Sequence, residues 1–186
     1  MNFTLAEVAG ALGLRKPAID ARLTGVAGDS RKARTGDLFV AISGARVDGA
    51  EFAVSAVAAG AGAVLAARVP PRLPSGFPLL VVPDPGDALL RFAAEVKRQT
   101  AFRLAAVAGS VGKTTTKEFA AAILSQRHAV EKTPGNQNSA IGFPLSVLNF
   151  PKAPEWMVGE MGMSALGEIG RLSRAFVFWS NMVRRE

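Results

Sequence analysis

The 186-residue sequence contains no cysteine. That excludes disulfides and thiolate metal sites and suits a cytoplasmic location, which is the expectation here. Charge is sparse. Only 20% of residues are charged against 49% apolar, which excludes a disordered chain and supports a real core. The balance is basic, with a net charge of +7. Runs of lysine and arginine are missing, however, and basic residues do not interleave with aromatic ones. Nucleic acid is therefore not an expected partner; nucleotide phosphates, or a solvated surface, account for the basic residues. Long hydrophobic runs are missing too. The most apolar stretch, 53–69, is mostly alanine interrupted by glycine and is unsuited to spanning a bilayer. The opening Met1-Asn2-Phe3-Thr4-Leu5-Ala6-Glu7 lacks the basic start and apolar core of a secretion signal. No internal repeat and no low-complexity tail is visible.

The most informative stretch runs from Ala105 to Lys117. An apolar run, Ala105-Ala106-Val107-Ala108, leads into Gly109-Ser110-Val111-Gly112, then Lys113-Thr114-Thr115-Thr116-Lys117 and a helix-like pattern at Phe119, Ala120, Ile123 and Leu124. The order is strand, phosphate loop, helix. Small residues let backbone N–H groups close around phosphate oxygens, and the positive end of the helix faces the anion. Lys113 can reach the terminal phosphates of ATP, and the Thr114 hydroxyl can ligate Mg²⁺. The strict consensus places a further glycine where Val107 stands, so the loop is a variant whose first glycine is Gly109. Without a ligand, the same stretch would be a Gly-rich turn with a solvated lysine.

The remainder alternates strands and helices, which predicts an α/β fold. Thr4 and Glu7 form a capping-box arrangement at the start of a helix over 4–12. Strands are expected at 23–26, 38–42, 63–66 and 79–82, and a helix over 52–59 ended by Gly60 and Gly62. The segment Pro83-Asp84-Pro85-Gly86-Asp87 reads as a boundary, with Asp87 capping a helix over 88–97. This gives a small N-terminal α/β domain, 1–83, and a P-loop α/β domain with a mostly parallel sheet, 84–186. In the second, strands are expected at 129–132 and 155–158, a helix over 141–148 that Pro144 starts or interrupts, and a helix over 166–172.

Glu160 follows an apolar strand, on the side of a parallel sheet where the phosphate loop lies. Ligands of open α/β sheets gather there, and an acid can hold Mg²⁺ directly or through water. It reads equally as a surface glutamate in a turn. Asn136 and Asn138, in Gly135-Asn136-Gln137-Asn138, are turn formers or donors to phosphate.

Three segments together resemble the ATP-dependent Mur ligases of peptidoglycan synthesis. The first is Asp29-Ser30-Arg31 followed by Gly36-Asp37-Leu38-Phe39-Val40-Ala41 and Asp48-Gly49, similar to the family's uridine-diphosphate-binding domain. The second is Gly109 to Lys117, the family's form of the phosphate loop. The third runs from Gly135-Asn136-Gln137-Asn138 through Ile141-Gly142-Phe143-Pro144-Leu145 to Glu160-Met161-Gly162 and Gly167-Glu168-Ile169. Within the family, the run from Gly135-Asn136-Gln137-Asn138 to Ile141-Gly142-Phe143-Pro144 and the later Gly167-Glu168-Ile169 resemble the branch that adds D-alanyl-D-alanine to UDP-N-acetylmuramoyl-tripeptide. The sister ligase that adds the third amino acid is the alternative.

The resemblance implies site residues. Lys113, Glu160 and Asn138 are the expected catalytic groups. Gly109, Ser110, Val111, Gly112, Lys113, Thr114, Thr115 and Asn136 are expected to hold ATP, with Thr114 and Glu160 on Mg²⁺. Ser30, Arg31 and Asp48 are expected to contact the UDP-linked substrate. The expected chemistry is phosphorylation of the tripeptide carboxylate, followed by attack of the D-alanyl-D-alanine amine on the acyl phosphate, by a monomer when complete.

Two departures stand out. Ser139 occupies a place where the family usually has asparagine. The family also continues well past this length, and 176–186 matches nothing expected there. The implied reading is an N-terminal fragment with an ended or frameshifted tail, an open sheet edge and little turnover of its own. A divergent last helix and a non-catalytic nucleotide-binding module are the competing readings.

Overall fold

A computed structural model describes residues 1–44, 47–135, 137–163 and 166–176. Asn136 and the expected anomalous tail from Val177 on lie outside the described residues. Packing divides the chain into two compact units, Met1–Glu95 and Val96–Glu186.

The first unit opens with β1 (Phe3–Thr4) and α1 (Leu5–Ala11). The capping box forms as the sequence predicts. The Glu7 N–H donates to Thr4 Oγ1 at 3.1 Å, and the Thr4 N–H donates back to Glu7 Oε2 at 2.6 Å. The strand expected over 23–26 is two strands instead. β2 (Arg22–Leu23) pairs antiparallel with β1, and β3 (Gly25–Ala27) enters a different sheet. Thr24 is the pivot: its N–H donates to Gly36 O at 2.9 Å and its hydroxyl to Thr35 O at 3.0 Å, which turns the chain between the two ladders.

β4 (Asp37–Val40), α2 (Ala53–Ala58), β5 (Ala63–Ala66) and β6 (Leu79–Val81) complete an all-parallel sheet in the order β3-β4-β5-β6. β4 and β5 are buried along their whole length, as continuous apolar runs in a parallel sheet require. α2 meets the sheet through Ala53 and Ala56, which pack with Phe39, Val64 and Ala66. The small side chains let the helix lie close.

The next helix, α3 (Pro85–Thr100), starts earlier than its sequence suggested. Asp84, not Asp87, caps it: Asp84 Oδ1 accepts from the N–H groups of Gly86 at 2.8 Å and Asp87 at 3.0 Å. Pro85 explains the shift, because its fixed φ and missing N–H suit the first helical position. Packing also carries the first unit through Glu95, past the boundary expected at 83/84. The reason lies in the first turns of α3. Phe92 meets Phe3 edge-on at a centroid distance of 5.1 Å, and Arg91 donates to Leu12 O at 3.2 Å.

The second unit contains β7 (Arg103–Val107), α4 (Lys113–Leu124), β8 (Val130–Lys132), α5 (Gly142–Leu148), β9 (Trp156–Glu160) and α6 (Glu168–Phe176). Its sheet is parallel in the order β7-β9-β8. The last strand thus lies between the first two, and all three carboxyl ends meet at one side. Pro144 sits in the first turn of α5, where its missing N–H leaves no intrahelical bond unmade. Met157 and Val158 of β9 are buried, as are Phe143, Val147 and Leu148 of α5 and Leu172 and Phe176 of α6. The rings of Phe143 and Phe176 pack at a tilt, with centroids 4.9 Å apart.

α4 departs from its apolar pattern. Phe119 and Ile123 face outward, 66% and 72% exposed, while Lys117 is buried. Among the described residues, no helix is long and apolar enough to cross a membrane.

Candidate functional site

The phosphate loop connects β7 to α4. Gly112 takes φ +77° as the residue before α4, and no side chain caps that helix. The first-turn N–H groups are therefore left facing the loop, available to an anion. Gly109 takes a positive φ as well. The Val111 side chain points to solvent at 90% exposure, so the residue has only its backbone to offer the loop. Lys113 folds back over the loop, its Nζ 3.5 Å from Ser110 O. Thr114 and Thr115 follow on the exposed first turn of α4.

Glu160 closes β9 and stands in register with Val107 at the end of β7. It is 3% exposed, so it is not the surface turn glutamate that the sequence also allowed. Both carboxylate oxygens are engaged. Thr114 Oγ1 donates to Oε2 at 2.9 Å, and Asn138 Nδ2 donates to Oε1 at 2.8 Å. The Glu160 N–H donates to Thr133 Oγ1 at 3.0 Å. A buried carboxylate is costly unless bonded, and here two side chains meet that requirement. Thr114 comes from the first turn of α4, Asn138 from the segment after β8, and Glu160 from the end of β9. The strand order is what brings them together.

Ser139 does not leave a gap where the family usually has asparagine. Its Oγ accepts from the Gly142 N–H at 3.0 Å and its carbonyl from the Phe143 N–H at 3.0 Å, so it shapes the entry to α5.

A second site lies in the first unit. A pocket of about 600 Å³ at the carboxyl ends of β3 and β4 is lined by Gly28, Asp29, Ser30, Arg31, Phe39, Ile42, Gly49, Phe52 and Ser55. Asp29 forms a bidentate pair with Arg31, Nε to Oδ1 at 3.0 Å and the terminal nitrogen to Oδ2 at 2.8 Å, and also accepts from the Arg31 N–H. These bonds pull the Asp29 carboxyl down to about 2. Asp48, expected to contact substrate, is not in the lining. Its carboxylate is taken by the Ala50 N–H, the Ser43 hydroxyl and Arg68 Nε, at 2.9, 3.1 and 2.9 Å. It shapes the turn Gly49–Phe52 behind the pocket wall.

Two groups escaped the reading of the sequence. Thr133 looked like the start of a polar loop, yet it receives the Glu160 N–H. Lys117 was visible only as the end of the loop motif. Its place one turn after Lys113 was the available signal for a role beside the site.

Residues 22–75 match the Mur ligase family catalytic domain and residues 107–182 the Mur ligase middle domain. The UDP-N-acetylmuramoyl-tripeptide--D-alanyl-D-alanine ligase of Bacillus subtilis is 44% identical over 150 residues, covering 81% of this chain and 33% of the relative. The Escherichia coli ligase of the same name is 39% identical over 169 residues, covering 91% of this chain and 37% of the relative. The chain thus spans about a third of the length of these relatives. Among solved structures, MurF from Acinetobacter baumannii superposes with a TM-score of 0.81 at 31% identity, covering 94% of this chain and 39% of that one. MurF ligase from Thermotoga maritima, in complex with ADP, gives 0.71 at 37% identity, covering 81% of this chain and 35% of that one. With both of its units matched to domains of one family, and over most of its length alike to curated members, the chain belongs to the Mur ligases.

Proposed function

We propose that this chain carries the uridine-diphosphate and ATP sites of a cytoplasmic ligase that joins D-alanyl-D-alanine to UDP-N-acetylmuramoyl-tripeptide. The observation that carries the reading is Glu160, a buried carboxylate held by Thr114 and Asn138 at the mouth of a phosphate loop. The names of the relatives supply the substrates.

The residues fit Mg²⁺. A threonine hydroxyl and a carboxylate are hard oxygen donors, and a site with few protein ligands suits an ion that keeps waters and shares phosphate oxygens. Bound there, Mg²⁺ supplies neutralisation of phosphate charge. Thr114 and Glu160 would hold it. The backbone N–H groups of Gly109 to Thr115 cradle the phosphates. Lys113 stabilises charge on the phosphoryl group in transfer. Asn138 keeps the Glu160 carboxylate oriented, with Asn136 placed by the resemblance on the nucleotide. Ser30 and Arg31 take the uridine diphosphate end of the substrate in the pocket of the first unit, and Asp48 acts by holding that pocket's turn.

In the reaction, the tripeptide carboxylate takes the terminal phosphoryl group of ATP, leaving ADP. The amine of D-alanyl-D-alanine then attacks the acyl carbon, phosphate departs with the bonding electron pair, and the amine loses its proton.

Two measurements test this. Calorimetry with Mg·ADP should show binding that weakens by about tenfold to a hundredfold in Lys113→Ala, the scale of a lost charge-assisted hydrogen bond. Turnover is expected to be slight for a chain that spans about a third of its relatives' length, and robust phosphate release dependent on both the UDP-tripeptide and D-alanyl-D-alanine would overturn the reading of it as a fragment. ADP affinity indifferent to Lys113→Ala would overturn the nucleotide site. ADP binding with no binding of the UDP-tripeptide would leave a nucleotide-binding module.

A further inference from the structure

Lys117 is 1% exposed, among the largest fully buried side chains of the described residues. Lysine is rarely buried so completely, because its ammonium loses water unless other groups replace it. Here three oxygens lie within 3.4 Å of the ammonium, two carbonyls that accept from it and one carboxylate paired with it. Thr133 O stands at 2.9 Å, Gly135 O at 3.4 Å and Glu118 Oε1 at 3.3 Å. Glu118 in turn pairs with Lys132. The two carbonyls belong to the backbone of the segment that follows β8. An apolar side chain of similar length would fill the same space, but it would leave those carbonyls without a partner.

The bonds continue inward. Thr133, whose carbonyl Lys117 holds, accepts the Glu160 N–H through its hydroxyl. The same segment runs on to Asn138, which bonds Glu160 Oε1. Lys117 also sits on α4 one turn after Lys113 and Thr114. It therefore ties the helix that carries Thr114 to the segment that carries Thr133 and Asn138.

We infer that Lys117 is a positioning residue, which fixes the distance between the Thr114 hydroxyl and the Glu160–Asn138 pair by clamping the Thr133–Gly135 carbonyls to α4. It touches neither nucleotide nor substrate. It deepens the proposed nucleotide–metal site, and for its binding arm it rests on that reading.

The test separates clamp from mere packing. Lys117→Met keeps length and removes the donors; Thr133→Val keeps shape and removes the hydroxyl that receives Glu160. ADP affinity is measured by calorimetry with and without Mg²⁺. Metal-free affinity reports the phosphate loop and Lys113, and should stay unchanged in both variants. The extra affinity that Mg²⁺ gives should fall by about tenfold in each, the scale of a lost hydrogen bond to a charged group. Hydrogen exchange at the Glu160 amide should speed up by a similar factor, with a shifted Asn138 side-chain amide signal. Variants that melt earlier but keep both the Mg²⁺ increment and the Glu160 protection would reduce Lys117 to a structural staple and overturn the inference. Where Lys117→Met does not fold, Lys117→Gln, whose shorter side chain keeps an amide donor but draws it back from the Thr133 carbonyl, decides in the same way. Should the unaltered chain bind no ADP, the proposed function fails. The Glu160 exchange and Asn138 signal of the variants then decide the clamp alone.

Discussion

Gly162 and Asn138 are packed backbone to side chain. The Gly162 N–H donates to Asn138 O at 2.8 Å, and a Cβ on Gly162 would stand 2.8 Å from Asn138 Cγ and 3.0 Å from its Nδ2. The glycine leaves the room in which Asn138 turns toward Glu160.

Gly162→Ala should therefore push the Asn138 amide off Glu160 Oε1. Overpacking of this kind costs about 1–3 kcal/mol. The expected outcome is a lower melting temperature together with weaker Mg·ADP binding. Asn138→Ala should weaken binding in the same way without the steric cost, and calorimetry beside thermal melts of both variants checks the pair.

Asp84 caps α3 with two hydrogen bonds. Asp84→Ala should cost about 1 kcal/mol. Asp87→Ala should cost less, about 0.3–1 kcal/mol, because a first-turn acid contributes through the helix dipole. Denaturant unfolding of the two variants compares them directly, and a larger loss at Asp87 would contradict the assigned cap.

The Asp29–Arg31 turn carries a pH dependence whose sign follows from its bonds. The Arg31 side chain, and then the Arg31 N–H, hold the Asp29 carboxyl at about 2, below its ordinary 3.8. A carboxyl depressed on folding stabilises the turn above the ordinary value, and that stabilisation fades as pH falls through about 2. An NMR titration should thus find the Arg31 amide moving with a midpoint near 2, and Asp29→Asn should abolish the transition. A midpoint at the ordinary carboxylate value would mean that the pair does not persist in solution.

The first-unit pocket predicts a separation of ligands. Arg31→Ala should weaken binding of the UDP-linked tripeptide by about tenfold, the scale of one charged contact, and leave Mg·ADP affinity unchanged. Titrating each ligand into the variant measures both. Equal loss for both ligands would point to general unfolding.

Much of this was legible in the chain itself. The run Ala105-Ala106-Val107 followed by Gly109, Gly112, Lys113 and Thr114 declared strand, loop and helix, because each demand is local: a short apolar run, small residues at a turn, a helix start after glycine. The capping box at Thr4 and Glu7 was legible for the same reason, as were β4 and β5 from their continuous apolar runs. Local rules also erred where neighbours competed. Asp84 and Asp87 are both good caps, and Pro85 settled which one serves. The strand over 23–26 broke at Thr24 because two ladders, far apart in sequence, each claimed one half.

The sequence by itself determined the α/β alternation, the phosphate loop and the candidate acid. These depend on the chemistry of adjacent residues and on periods of two and about 3.6. Only the tertiary structure decided that β9 lies between β7 and β8, and so that Thr114, Asn138 and Glu160 share hydrogen bonds. It also decided that α4 turns Phe119 and Ile123 outward and Lys117 inward, against hydropathy. The carbonyls that make a buried ammonium tolerable come from Thr133 and Gly135, on another element, and no local pattern around Lys117 announces them.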